Sequence, residues 1–372
     1  MKPEAISQTE RRDRLRLIRT DTVGPITWRE LMAHFGSATD ALDGLPDMAG
    51  RAGKRNIRIP EPAEIEDELA QIDQLGAQLI TLGEPAYPVS LAQIDDAPPA
   101  LCVRGNPAIL QLPGIGIVGA RNASANGRRI AETIASDLAA AQVSIVSGLA
   151  RGIDTAAHNG ALTAQGNTVA VMAGGVDVVY PPENDGLYQR IVESGAVVSE
   201  MPPGLKPQAR HFPRRNRIVS GLSLGVVIVE AAQRSGSLIT ARMAGEQGRD
   251  VLAIPGSPLD PRSYGANRLI REGATLARNA EDILEVVRPM LNLPRKTPDH
   301  GNIAPIQPPM DLDSDGSKTR QAVIECLSPE PVAVDEIVRQ CQLTAPVVRT
   351  ILLELELAGR LERHPGNRVA AL

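Results

Sequence analysis

A chain of 372 residues accommodates two or three domains, and its net charge of -5 leaves no global basic field, so any polyanion site must come from local clustering. The three cysteines, Cys102, Cys326 and Cys341, sit in no ligand spacing, which fits a reduced cytoplasmic protein and argues against a disulfide framework or a zinc site. No apolar run is long enough for a signal-peptide core or a membrane span.

The first 75 residues read as a small helical domain. Arg14 to Arg19 opens the first periodic segment, and a turn at Val23-Gly24-Pro25 leads to Thr27, a predicted N-cap with Glu30 three residues on, as in a capping box. From about Gly76 the pattern changes. Ile115–Val118, Val143–Val146, Thr168–Met172, Ala196–Ser199, Gly225–Val229 and Asp250–Ile254 are nearly continuous apolar runs, mostly followed by helix-period segments. Strands apolar on both faces belong to a mostly parallel sheet covered by helices on both sides. Alternating strands and helices predict an α/β, doubly wound fold over residues 76–290, and such sheets bind ligands at the carboxyl ends of their strands.

The turns after the strands therefore carry the functional signal. Gly114-Ile115-Gly116-Ile117-Val118-Gly119 has the letters of a dinucleotide fingerprint, but the glycines lie within the strand instead of after it. The turn itself is Gly119-Ala120-Arg121-Asn122, before a helix from about Gly127; a helix N-terminus beside an arginine can hold an anion, although Arg121 could simply be solvated. The second turn, Ser147-Gly148-Leu149-Ala150-Arg151-Gly152-Ile153-Asp154, has glycines that permit close backbone approach. Asp154 and His158 follow at a spacing of four, which suits a base or metal pair, or a loop tie and its buttress. No third ligand or nucleophile accompanies them, which favours the structural role. After Glu230, Ser235-Gly236-Ser237 opens a helix that includes Thr240, offering hydroxyls and N–H groups to an anion or else an ordinary cap.

The strongest signal precedes that turn. Met201 to Val229 holds five basic residues, Lys206, Arg210, Arg214, Arg215 and Arg217, and no acid. Its centre, His211-Phe212-Pro213-Arg214-Arg215-Asn216-Arg217, includes one of only two phenylalanines in the chain. Cations neutralise phosphates and an aromatic face stacks on any base, a pairing that points to single-stranded nucleic acid. Since Asn216 and its neighbours enter a regular element, some of these arginines must turn inward.

A stretch rich in Pro, Asp and Asn, residues 291–318, reads as a linker. Beyond it, helical patterns at Arg320–Leu327, Val334–Gln340 and Ala345–Ala358 precede Arg360–Arg363, a turn at Pro365-Gly366-Asn367 and Arg368–Ala370, predicting a winged helix-turn-helix over residues 319–372. Its third helix carries Arg349 but also Glu354 and Glu356, and from Thr319 onward six arginines face seven acids, a poor balance for holding phosphates.

In this order the motifs resemble the DprA (Smf) family of DNA-processing proteins. The likeness runs through Tyr87-Pro88, Val118-Gly119-Ala120-Arg121, the Ser147–Asp154 turn, Tyr180-Pro181-Pro182-Glu183-Asn184, Phe212–Ile218, Glu230 with Ser235–Thr240, Pro255-Gly256 and Leu269–Ala274, about half the chain. It implies a sterile-alpha-motif-like domain, a Rossmann-like core and a winged helix. It further implies a non-catalytic protein that binds and protects single-stranded DNA in natural transformation and loads the recombinase RecA, without cofactor or metal, as a homodimer through the Rossmann-like domain. The residues expected to meet nucleic acid are Gly119, Arg121, Ser147, Gly148, Arg210, Phe212, Arg214, Arg215, Asn216, Arg217, Ser235, Gly236, Ser237 and Thr240. A nucleotide-acting hydrolase is the competing reading, but Gly174-Gly175 and Glu230 are not joined in the motif that it needs. A ligand-sensing winged-helix regulator is a third reading, at odds with the weakly basic third helix.

Overall fold

A computed structural model describes residues 6–51, 57–291, 316–364 and 366–372. These residues divide into two compact units. One is the sheet domain from Asp67 onward; the other joins the N-terminal helices to the C-terminal domain.

In the second unit, α1 (Gln8–Arg19), α2 (Pro25–Phe35) and α3 (Ala38–Arg51) form a small bundle. The predicted capping box is absent. Gly24 is the N-cap of α2 and Pro25 its first residue, since proline's fixed φ suits that position; Thr27 is buried inside the helix. Trp28, also buried, donates its Nε1–H to the Arg14 carbonyl at 3.2 Å.

After α4 (Pro62–Gln74) the sheet domain is built in chain order from β1 (Ala77–Thr81), α5 (Val89–Ala92), β2 (Ala100–Gly105), β3 (Gly114–Val118), α6 (Ala125–Ala140), β4 (Ser144–Ser147), α7 (Ile153–Thr163), β5 (Thr168–Val171), α8 (Asp185–Ser194) and β6 (Ala196–Ser199). It continues with α9 (His211–Gly221), β7 (Gly225–Ile228), α10 (Ser237–Glu246), β8 (Asp250–Ala253), α11 (Tyr264–Arg271), β9 (Thr275–Leu276) and α12 (Ala280–Leu291). The sheet order is β1-β2-β6-β5-β4-β3-β7-β8-β9. All six predicted strands are present and pair in parallel, and β3 to β7 are buried throughout, as their unbroken apolar runs require. β1 and β2 add an antiparallel edge.

One face packs Ile115, Ile117, Ile145, Val227 and Leu252 against α6, α7 and α12, and continues as Ala170 and Val197 against α8. On the other face α10 lies on β7 and β8, and α9 on β5. The chain winds from β3 outward to β6, then returns to place β7 on the opposite flank of β3. That reversal makes the ends of β3 and β7 the topological switch point, where such sheets present their crevice.

In the second unit, α13 (Gly316–Glu325), β10 (Val332–Ala333), α14 (Val334–Cys341), α15 (Ala345–Leu357), β11 (Leu361–His364) and β12 (Arg368–Ala371) form the winged helix, with strand order β10-β12-β11. Its core gathers Val323, Ile337, Val348, Ile351, Leu352, Leu355 and Val369. The opposite side of α15 packs against α2 and α3, and Leu353 and Leu357, outside the winged core, are buried as well. Glu354 is buried too and paired with Arg320; Glu356 binds Arg363 at 2.8 Å, and Arg363 reaches Glu30 in α2 to within 2.5 Å. The two acids expected to repel phosphate from the third helix are thus internally neutralised. The expected linker falls almost wholly on 292–315, outside the described residues.

Candidate nucleic-acid interface

The basic segment folds as α9, and the helical period sorts its arginines. Arg210 and Arg214 are exposed, Phe212 and Asn216 half-buried, and Arg215 and Arg217 buried. Arg217 forms an ion pair with Glu200, and its Nε lies 3.6 Å from Asp96. Glu200 also approaches Arg214 at 3.8 Å. A segment free of acids in sequence therefore meets two in space. Arg217, expected at the nucleic acid, is spent inside the fold.

Arg215 lies beneath the β4–α7 turn. Its Nη1 donates to the Val171 carbonyl at 3.2 Å, and Gly148 leaves it room: a Cβ there would fall 1.2 Å from that nitrogen. Asp154 folds back to accept N–H groups from Gly148 and Ala150 at 3.2 and 3.3 Å. Burial pushes the Asp154 carboxyl up, against the pull of Arg215 and those N–H groups, while burial pushes Arg215 down against the pull of Asp154. Leu149, buried with φ +55°, completes the turn in a conformation uncommon outside glycine, and the Asn184 side chain holds its carbonyl at 2.8 Å. Gly148, Arg215 and Asp154 form one structural knot, with Arg215 acting from below the surface.

His158 does not touch Asp154 through a hydrogen bond. Its Nδ1 lies 2.7 Å from Thr168 Oγ1, whose own hydrogen goes to the Ile145 carbonyl at 2.8 Å, so Nδ1 must be the donor. Burial, helped by the Arg215 charge, drops the imidazole pKa to about 3. A neutral, fully buried ring tying α7 to β5 cannot serve as a general base for a bound substrate.

The switch point itself is filled by protein. Glu230 accepts the Ser124 N–H at 2.9 Å and the Ser124 hydroxyl at 2.6 Å, while Ser124 Oγ caps α6 by accepting from Gly127 N at 2.8 Å. A Cβ at Gly127 would lie 2.5 Å from the Glu230 carboxyl carbon. The N-terminus of α6, expected to be open to an anion, carries an internal carboxylate instead. Gly119 is hemmed by Ile153 and the Glu230 carbonyl, where a Cβ would come within 2.6 and 2.9 Å. Ser147 is buried and donates to the Ile117 carbonyl at 2.7 Å. Across the sheet, Ser237 and Thr240 are buried at the start of α10, with Ser235 bound to Ser237 hydroxyl to hydroxyl at 2.7 Å and Gly236 exposed.

What remains open is a cationic and aromatic surface. The Arg121 guanidinium sits 5.0 Å above the Phe212 ring, and Tyr180, which is exposed, meets that ring edge-on at 5.9 Å and 61°. Beside Arg121 a groove of about 700 Å³ is lined by Arg128, Arg151, Thr155, Asn159 and Asn184, with Glu132 as its acid. Three arginines from two loops and one helix thus face the same space. Arg128, Arg151 and Tyr180 are absent from the residues expected at the site; the last two stand in motifs that carry the resemblance, whereas Arg128 has only its position in the first turns of α6 to announce it. Among the described residues no group of three or more His, Cys, Asp or Glu side chains could hold a metal.

The family model for DNA recombination-mediator protein A matches residues 78–288. The chain belongs to the DprA (Smf) family. Models for a DprA-like N-terminal HHH domain and a DprA winged helix domain match residues 8–70 and 307–367, so family comparison describes the N-terminal helices as HHH where the resemblance implied a sterile-alpha-motif-like domain. Protein Smf of Escherichia coli K12 is 39% identical over 350 residues, covering 94% of this chain and 91% of its own. DNA processing protein DprA of Streptococcus pneumoniae R6 is 43% identical over 257 residues, 67% of this chain and 89% of that one. The solved structure of S. pneumoniae DprA superposes with a TM-score of 0.62 at 39% identity, covering 73% of this chain and 95% of that chain. Helicobacter pylori DprA, solved for its single-stranded DNA binding mode, gives 0.52 at 28% identity, covering 58% and 98%. No described helix is long and apolar enough to cross a membrane.

Proposed function

We propose that this DprA-family protein binds single-stranded DNA across the carboxyl edge of its sheet domain, protects it during natural transformation and loads RecA onto it, without catalysing a reaction. The observation that carries the reading is the stack of Arg121 on Phe212 beside Tyr180, opening into the three-arginine groove. A guanidinium held over an aromatic ring offers phosphate and base contacts within one nucleotide's reach, and neither depends on sequence. Arg210, Arg214 and Asn216 extend the surface along α9, with Ser235 and Gly236 as further contacts, while Gly119, Ser147, Gly148, Arg215, Arg217, Ser237 and Thr240 shape it from beneath. The three groups that a hydrolase would recruit, Asp154, His158 and Glu230, already hold backbone or internal hydroxyl groups.

The sheet domain, residues 76–290, carries this surface and the homodimer contact; the helical domain of residues 1–75 and the winged domain of 319–372 flank it, joined through 291–318. The protein works in the cytoplasm. Labelled oligothymidylate, blunt duplex and mononucleotides titrated side by side test the reading. Single strands should bind far more tightly than duplex and without nucleotide turnover, and RecA filament formation on coated strands should start sooner with the protein present. Equal affinity for a blunt duplex, or hydrolysis of the mononucleotide, would overturn it.

A further inference from the structure

Cys102 is buried in β2, whereas Cys326 and Cys341, fifteen residues apart, bring their Sγ atoms to 3.3 Å. Cys326 follows the last residue of α13, and Cys341 ends α14. Both are half-buried, so a small solute can reach them. Cys341 also donates weakly to the Ala322 carbonyl in α13 at 3.6 Å. Burial and the neighbouring Cys326 thiol raise Cys341 to about 11. No third Cys, His, Asp or Glu completes a metal set among the described residues. The two sulfurs are about 1.3 Å farther apart than in a sulfur–sulfur bond of about 2.05 Å.

We propose that Cys326 and Cys341 form a thiol–disulfide modification site whose oxidant is a small-molecule disulfide such as oxidised glutathione, and that closing it pins α13 to the helix-turn-helix. One protein thiol loses its proton and attacks a sulfur of the oxidant, breaking its S–S bond and releasing one thiolate. The second protein thiolate then attacks the protein sulfur of the mixed disulfide and expels the other. The protein gives up two protons and two electrons, and oxidised glutathione becomes two reduced molecules. The bond would tie the end of α13 to the residue before Gln342, whose left-handed φ of +54° starts the turn into α15. The loop so closed contains β10 and the whole of α14, so oxidation should rigidify the turn that positions the third helix.

The full-length protein is equilibrated with glutathione buffers from reducing to oxidising, quenched with a maleimide in denaturant so that the buried Cys102 also reacts, and weighed intact. Oxidation should leave one alkylatable thiol of the three, remove two hydrogens from the mass and produce no covalent dimer. Amide exchange across residues 326–344 should slow at least severalfold in the oxidised form. Cys326→Ser and Cys341→Ser should each carry a glutathione adduct in place of the internal bond, and Cys102→Ala should behave as the parent. Three alkylatable thiols at the most oxidising ratio, a disulfide joining two chains, or unchanged exchange in the oxidised monomer would each overturn the proposal.

Discussion

If Arg121 and Phe212 act as a unit, removing them one at a time and together must give a non-additive result. The guanidinium lies 5.0 Å from the ring centroid at the surface, a geometry worth about 0.5–1 kcal/mol. Arg121→Ala removes one phosphate contact, so it should flatten the plot of log affinity against log salt by about 0.7 for a single strand. Phe212→Ala should cost about 1–3 kcal/mol from lost stacking. Because it also removes the platform under Arg121, it should flatten the slope part of the way, by less than Arg121→Ala does. The double variant should then lose about 0.5–1 kcal/mol less than the sum of the single losses. Fluorescence anisotropy with a labelled oligothymidylate between about 50 and 200 mM salt measures all of these. Losses that add to within about 0.3 kcal/mol, with a slope unchanged by Phe212→Ala, would refute the coupling and reduce the stack to a crossing of two independent side chains.

Other consequences follow from the buried groups. Gly148→Ala should destabilise the sheet unit by about 1–3 kcal/mol in urea titration, because the new Cβ displaces the Arg215 guanidinium from Val171; Arg215→Ala in the same chain should recover part of that loss. The two units should respond to pH in opposite senses. His158, lowered from 6.5 to about 3, contributes stability that is present above pH 6.5 and lost as pH falls towards 3, a fall that His158→Gln should flatten. Glu30 is raised from 4.5 to about 7 by burial, which outweighs Arg363, so its contribution is full below pH 4.5 and lost as pH rises through 7; Glu30→Gln should remove that loss. Urea titrations from pH 4 to 8, read by the single tryptophan of α2 for one unit and by amide exchange in β4 and β5 for the other, separate the two trends. Arg363→Met should cost about 1–3 kcal/mol at pH 8, where it strands Glu30 and Glu356 without their partner, and less at pH 5.

The sequence showed the sheet well, because strands buried on both faces leave nearly continuous apolar runs at β3 to β7. It did not show β1, whose apolar run is broken by exposed Gln78, or the antiparallel edge that it makes with β2. At the candidate site, a count of charges along the chain singled out the segment that folds as α9 but not which of its arginines the fold buries. Glu200 lies just outside that segment and Asp96 far before it, and helical periodicity alone does not show that Arg215 points under a glycine. The same blindness applied to Glu354 and Glu356, which look like repellent surface acids until Arg320 and Arg363 are seen facing them. It applied again to Cys326 and Cys341, whose distance along the chain concealed their contact in space.

The enclosure of α15 between the winged core and the N-terminal helices has a consequence for synthesis. The partner surface of α2 and α3 is made before the sheet unit, but the helix that covers that surface is made only after the sheet unit. With roughly 290 residues between α3 and α15, translated at about 5–20 per second, the first helices wait about 15–60 s with that face open. The sheet unit, contiguous in sequence, is free to fold during the wait; the other unit closes only when its two ends meet. Nascent chains stalled before residue 345 should therefore hold a folded sheet and a helical bundle still open to chaperones, and the emergence of α15 should be the step that seals it.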